Sequence, residues 1–249
     1  MEREEIENRD VEQWVDEGSI RDEAIAATKR ATIRRADADA EVAPEVAAEI
    51  QAAIDPQRAK KLTERLAAAS AALDRDRFEE ALRMITPLRR ELSQVAAVHE
   101  VSGLASYRLG KWRQAAASLE LARQLRPDPA LLPVLADCYR GLKRWNDVES
   151  VWNDLRSASP THEVMSEGRI VAAGALADRG ELKAAIQLMM AGEKAPKKVR
   201  PHHLRQWYVL ADLHDRAGDS ITASRWFREI AANDASFADV RERLRALGR

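Results

Sequence analysis

The sequence predicts an all-α chain built as a solenoid of about five stacked helical hairpins, and three observations predict it. The apolar content of 45% is carried largely by Ala and Leu, with aromatics at only 5%, a mix that favours helices over sheets. A helix–turn–helix pattern runs from Ala96 to Pro129: Gly103 and Tyr107, a turn at Leu109-Gly110-Lys111-Trp112, then Ala115, Leu119 and Ala122, closed by Pro127. A small residue then recurs down the chain at Ala81, Ala115, Val148, Ala185 and Ala223, at intervals of 34, 33, 37 and 38, with Trp112 and Trp145 standing 33 apart. Small residues at Gly103 and Ala115 let two antiparallel helices approach closely, and Leu119 and Trp112 fill the space beyond. One hairpin cannot bury its apolar face alone, so a single copy predicts neighbours.

Taken in order, residues 1–43 read as an acidic arm and linker, partly helical or disordered. Residues 1–24 carry ten acids against Arg3, Arg9 and Arg21, with Val11, Trp14 and Val15 as a short apolar turn. Ser19-Ile20-Arg21-Asp22 fits a capping box for a helix to about Arg35, and residues 36–43 show no apolar periodicity. Pro44 suits a first helical position, and Val46, Ile50 and Ile54 form a narrow stripe in a helical lead-in over 44–61. Asp55-Pro56 restarts the helix. The hairpins are expected at 62–95, 96–128, 129–162, 163–203 and 204–235, with Pro87 kinking the second helix of the first. The two long intervals require insertions: a basic loop at 193–201 and a longer helix starting near Thr161. Ser236 is expected to cap a last helix over 236–249, with Phe237, Val240, Leu244 and Leu247 on one face, shielding the final hairpin.

The order of residues in Ala96–Pro129, and again in Trp207-x-x-Leu210-Ala211, Gly218-Asp219, Ala223 and Phe227, resembles a tetratricopeptide repeat. The resemblance covers roughly residues 62–235 and implies a right-handed α-solenoid. It departs from the family pattern at Ser106 and His214, where Tyr is expected. It also implies a concave face, lined by the first helices, that binds peptides. The lining positions implied are Glu100, Leu104, Tyr107 and Arg108, then Asp137 and Arg140, then Glu167, Ile170 and Gly174, then Arg205, Tyr208, Asp212, Asp215 and Arg216. The partner-binding set expected from these is Glu100, Leu104, Tyr107, Arg108, Asp137, Arg140, Arg205, Tyr208, Asp212, Asp215 and Arg216. Mixed charge with two tyrosines suits a peptide or protein ligand. Glu100 and Leu104 stand where members that clamp a C-terminal carboxylate carry Lys and Asn, so that ligand class is not supported.

Chemistry is sparse. Lys+Arg 40 against Asp+Glu 41 gives a net charge of −1, which removes the whole-chain electrostatic case for nucleic acid. The single Cys138 excludes a disulfide framework and a multi-Cys metal site, and it reads as a buried thiol. His202 and His203 are adjacent and diverge on a helix, His214 lies eleven residues past His203, and His99 reads as a packed core residue. No phosphate loop, Gly-x-Ser-x-Gly or His-Glu-x-x-His motif occurs. The expectation is therefore no enzyme, no cofactor, no metal and no catalytic residue. No apolar run spans a membrane, and the acidic start is not a secretory signal, so a cytoplasmic protein is expected. The excess of Arg over Lys points weakly to a bacterial source. The function expected is a non-catalytic protein–protein interaction scaffold with a peptide or protein partner, the N-terminal arm docking through Val11, Trp14 and Val15 on the same molecule, on a second copy as self-association, or on a partner. The alternative is a helical-repeat RNA-binding protein using the basic loop 194–205.

Overall fold

Proline and carboxylate side chains start the helices where the sequence offers them. Pro44 opens α1 (Pro44–Ala53), and Asp55 caps α2 (Pro56–Asp74) by accepting from the backbone N–H groups of Gln57 and Arg58. The structure is a computed structural model that describes residues 42–191 and 196–248. The expectations for Val11, Trp14, Val15 and the Ser19 capping box, and for Lys194 in the basic loop, lie outside the described residues. The described residues divide into two compact units, 42–158 and 159–248. Among them every regular element is helical.

In the first unit α1 packs on α2 through Val46 and Ile50. Three hairpins follow: α2 with α3 (Phe78–Glu91), α4 (Ala96–Arg108) with α5 (Trp112–Leu125), and α6 (Leu132–Gly141) with α7 (Trp145–Ala158). Each second helix packs against the next first helix, and α4 also touches α2 and α6. A 3-10 turn, Pro129–Leu131, precedes α6, with the Asp128 side chain accepting from Ala130. Pro87 sits inside α3, and the helix continues past it to Glu91. In the second unit α8 (His162–Asp178) pairs with α9 (Leu182–Met190), and α10 (Pro201–Arg216) with α11 (Ser220–Asn233). There α8 also packs on α10, and α12 (Val240–Leu247) packs on α11.

All five hairpins turn in one way. A left-handed residue stands five positions before the small-residue column: Asp76 (φ 59°), Gly110 (69°), Lys143 (57°), Gly180 (81°) and Gly218 (82°). The next N–H then bonds the carbonyl five residues back, at 2.9 Å for Arg77, Lys111, Arg144 and Glu181 and 2.8 Å for Asp219. This is the Schellman closure, which consumes carbonyls that a helix end leaves over. The column itself is buried in every hairpin. Close approach is visible at Gly103, where an added Cβ would lie 2.7 Å from Leu119 Cγ. Trp112 lies under Gly141 of the next hairpin, 3.2 Å from where a Cβ would be. Trp112 and Trp145 are half-buried, whereas Trp152, Trp207 and Trp226 are buried. Cys138 is buried, and so is His99, whose Nε2 bonds the Ser93 carbonyl oxygen at 2.9 Å.

Two local differences from the sequence reading have plain causes. The helix capped by Thr161 is the longest first helix after α2, 17 residues against 13 in α4, which accounts for the added length there. Ser236 does not cap the last helix. Asp234 instead accepts from both the backbone N–H and the hydroxyl of Ser236, which bends 234–236 into a turn. Ala238 then adopts φ 44°, and α12 begins only at Val240.

Candidate partner-binding face

The first helices place the expected lining residues, and neighbouring elements decide how many reach solvent. In α4 every residue from Ala96 to Tyr107 is buried, because the helix packs against α2, α3, α5 and α6. Burying polar groups there requires partners. Glu100 accepts from Arg126 Nη2 at 2.8 Å, across the α4–α5 hairpin. Tyr107 donates its hydroxyl proton to Asp137 Oδ2 at 2.6 Å, reaching from α4 to α6. Arg140 Nε donates to the other oxygen of Asp137 at 2.7 Å, so one carboxylate ties two helices and two side chains together. Leu104 is buried. Arg108 is half-buried, with its guanidinium 4.2 Å from the Phe78 ring centroid and 3.6 Å from Asp76.

The second unit repeats the device with other residues. Arg205 of α10 is buried and forks both Nε and Nη2 onto Glu167 Oε1 of α8. Ile170 and Gly174 of α8 are buried as well. Tyr208 donates to Asp239 at 2.6 Å, and burial followed by that hydrogen bond holds its phenol above the ordinary range. Asp212 and Asp215 both accept from Arg243 of α12 at 2.9 Å. Arg216 Nη2 bonds the Ala177 carbonyl at 3.4 Å. At the head of α10 the His203 ring nitrogen accepts from the Arg200 backbone at 2.9 Å, acting as a cap. His202 beside it is buried, 3.7 Å from Glu163, which also lies 3.6 Å from Arg200. Burial, then the neighbouring His203, pushes His202 down to about 4.

Of the eleven expected partner residues, Glu100, Leu104, Tyr107, Asp137 and Arg205 are therefore buried. Arg108, Arg140, Tyr208, Asp212, Asp215 and Arg216 are half-buried. The buried set braces one helix to the next, and the half-buried set presents polar atoms from those braced helices. Sequence reasoning missed Arg126, Asp239 and Arg243, the groups that complete the pairs. A usable signal was there: Tyr107–Asp137, Tyr208–Asp239, Asp212–Arg243 and Arg123–Asp154 are complementary pairs 30 or 31 residues apart, a little under one repeat.

Among the described residues no group of three or more His, Cys, Asp or Glu could hold a metal ion. No helix there is long and apolar enough to cross a membrane.

Hairpins with one shared turn, one buried small-residue column and inter-hairpin braces give the described residues a tetratricopeptide-like helical-repeat fold. A solved structure of similar fold is a thermophilic tetratricopeptide-repeat protein of Thermus thermophilus, at 16% identity and a TM-score of 0.58. The match covers 75% of this chain and 98% of that one, and at this identity the likeness shows the fold alone. No protein-family model and no curated protein matches the sequence.

Proposed function

We propose that this chain is a non-catalytic interaction scaffold that holds a peptide or partner protein on its first-helix faces. The observation that supports it is the division of labour on those faces. Buried pairs fix the helices, leaving Arg108 and Arg140 in the first unit, and Tyr208, Asp212, Asp215 and Arg216 in the second, half-exposed on rigid supports. Pre-organised Arg and Tyr side chains bind at low entropic cost, since the forked guanidinium and the flat phenol lose little freedom on contact. Fold alone does not carry function, so the reading stands on these side chains. The test is capture of a partner from the native host by the full chain, identified by mass spectrometry and then measured by calorimetry. Arg108→Ala with Arg140→Ala should weaken the measured affinity at least about tenfold, about 1.4 kcal/mol, while the circular dichroism spectrum stays helical. An unchanged affinity removes the face of the first unit from the proposal.

A further inference from the structure

The last described helix is held by polar contacts more than by area. Of its eight residues only Val240 is buried, with Leu244 and Leu247 half-buried against the core of the second unit. Arg243 does the holding. Its Nη2 lies 2.9 Å from Asp212 Oδ1 and 2.9 Å from Asp215 Oδ2, carboxylates one turn apart on α10. Its guanidinium carbon is 5.2 Å from the Phe227 ring centroid, and Tyr208 closes the near side by bonding Asp239. Two carboxylates and an aromatic ring form a socket shaped for a planar cation, with apolar contacts from the flanking Val240 and Leu244.

What fills that socket is poorly suited to stay. The helix is shorter than the length at which helices persist in isolation, about 12–15 residues. Its ion pairs are part-exposed, at 26% for Arg243, 14% for Asp212 and 33% for Asp215, so water and salt reach them and compete with the contact. The chain leading into it passes through Ala238 at φ 44°, a conformation that L-residues adopt only against strain. Three of the half-exposed residues of the candidate face, Tyr208, Asp212 and Asp215, are the ones it engages.

We propose that the Asp212–Asp215–Phe227 socket is a receptor for an arginine-centred amphipathic helix, filled at rest by the chain's own α12. The partner helix would carry an apolar residue three before its arginine and another one after it, as Val240, Arg243 and Leu244 do. It would take the socket by displacing α12, so that this surface answers only a ligand strong enough to compete. This deepens the scaffold reading and rests on it.

The experiment uses the full chain and a labelled synthetic peptide of residues 236–248. A full-length Arg243→Ala variant should release its own α12, seen as loss of hydrogen-exchange protection in α12 while α10 and α11 keep theirs. By fluorescence anisotropy the peptide should bind that variant about tenfold or more tightly than it binds the unaltered chain, since a receptor open a tenth of the time binds about tenfold more weakly. A peptide carrying Arg243→Ala should bind neither. Equal binding of the two peptides, or no preference for the variant chain, overturns the proposal. The unaltered chain gives a second reading. Exchange of α12 amides through an opening that leaves α11 protected supports displacement, and exchange of α12 only together with α11 overturns it. Because the probe is a piece of this chain, its failure leaves partner capture by the first unit as a separate result.

Discussion

Lys143 holds a backbone conformation that costs an L-residue roughly 1–2 kcal/mol, at φ 57°, because the third hairpin must close as the others do. Gly110, Gly180 and Gly218 meet the same demand without a Cβ. Lys143→Gly should therefore stabilise the protein by under about 1 kcal/mol, the relief of strain being offset in part by the greater freedom of glycine in the unfolded chain. In a chain of this size that raises the melting temperature by about 2 °C, measurable by calorimetry, and a fall would show that the turn is not left-handed. The same position shows what a sequence can disclose. Where glycine fills the turn its left-handed position was legible, and where Asp76 or Lys143 does, the hairpin was expected from its apolar pattern but the residue type hides the left-handed backbone. The column at Ala81, Ala115, Val148, Ala185 and Ala223 was legible throughout, because every member faces a closely packed helix and is 0–3% exposed. Small size is imposed there by contact, which leaves a mark on composition that a turn does not always leave.

Pairs of elements are joined by buried charge, and α8 with α10 is the clearest case. Arg205 and Glu167 occupy equivalent places in consecutive hairpins, with side chains 5% and 1% exposed. Arg205→Met strands a buried carboxylate and should destabilise by about 3–5 kcal/mol, whereas Glu167→Met with Arg205→Met should recover most of that loss, by chemical denaturation. The pair was hard to read from sequence, since Glu167 and Arg205 are 38 apart and that interval includes an insertion. The partners of Tyr208 and Asp212 were hidden for a related reason. A last helix begun at Ser236 shifts α12 by four residues, and Asp239 and Arg243 then fall out of register with α10.

Beside this pair, His202 faces Glu163, His203, Arg200 and Arg205. Its imidazole is held down to about 4 against an ordinary 6.5, so below pH 6.5 the unfolded chain binds a proton that the folded chain refuses. The stabilisation is complete above pH 6.5 and is lost progressively as pH falls toward 4. Glu163, lowered by a backbone hydrogen bond at its own position and then by His202, adds a loss of the same sign at lower pH. The drop in melting temperature from pH 7 to pH 5 should be smaller in His202→Gln than in the unaltered chain, and an equal drop would assign the pH dependence elsewhere.

Charge over the whole molecule separates the scaffold from its rival. Single-stranded RNA would need a basic track, yet the net charge is −1 and the first-helix faces set Asp137, Asp212 and Asp215 among their arginines. The concentrated positive charge is the stretch before α10, where Lys197, Lys198 and Arg200 are exposed and Lys194 lies outside the described residues. Arg200 there also sits 3.6 Å from Glu163, which tempers its field. This stretch carries four cations, so an RNA complex made through it would show a log–log salt slope of about −3, at roughly −0.7 per contact on a single strand. The expected outcome with a mixed single-stranded pool at physiological salt is no saturable binding, and Lys197→Glu with Lys198→Glu should leave partner capture by the first unit unchanged. Saturable binding with that slope, abolished by the same double substitution, would move the function from the helix faces to this loop. The two readings assign the protein's positive charge different tasks. In one, arginines such as Arg205 and Arg243 neutralise carboxylates inside the fold; in the other, lysines outside it gather an anionic polymer. The described ion pairs already commit Arg58, Arg123, Arg126, Arg205 and Arg243 to carboxylates of the chain itself. Charge spent on internal pairing cannot also release counterions from a polyanion, and this balance favours a protein ligand.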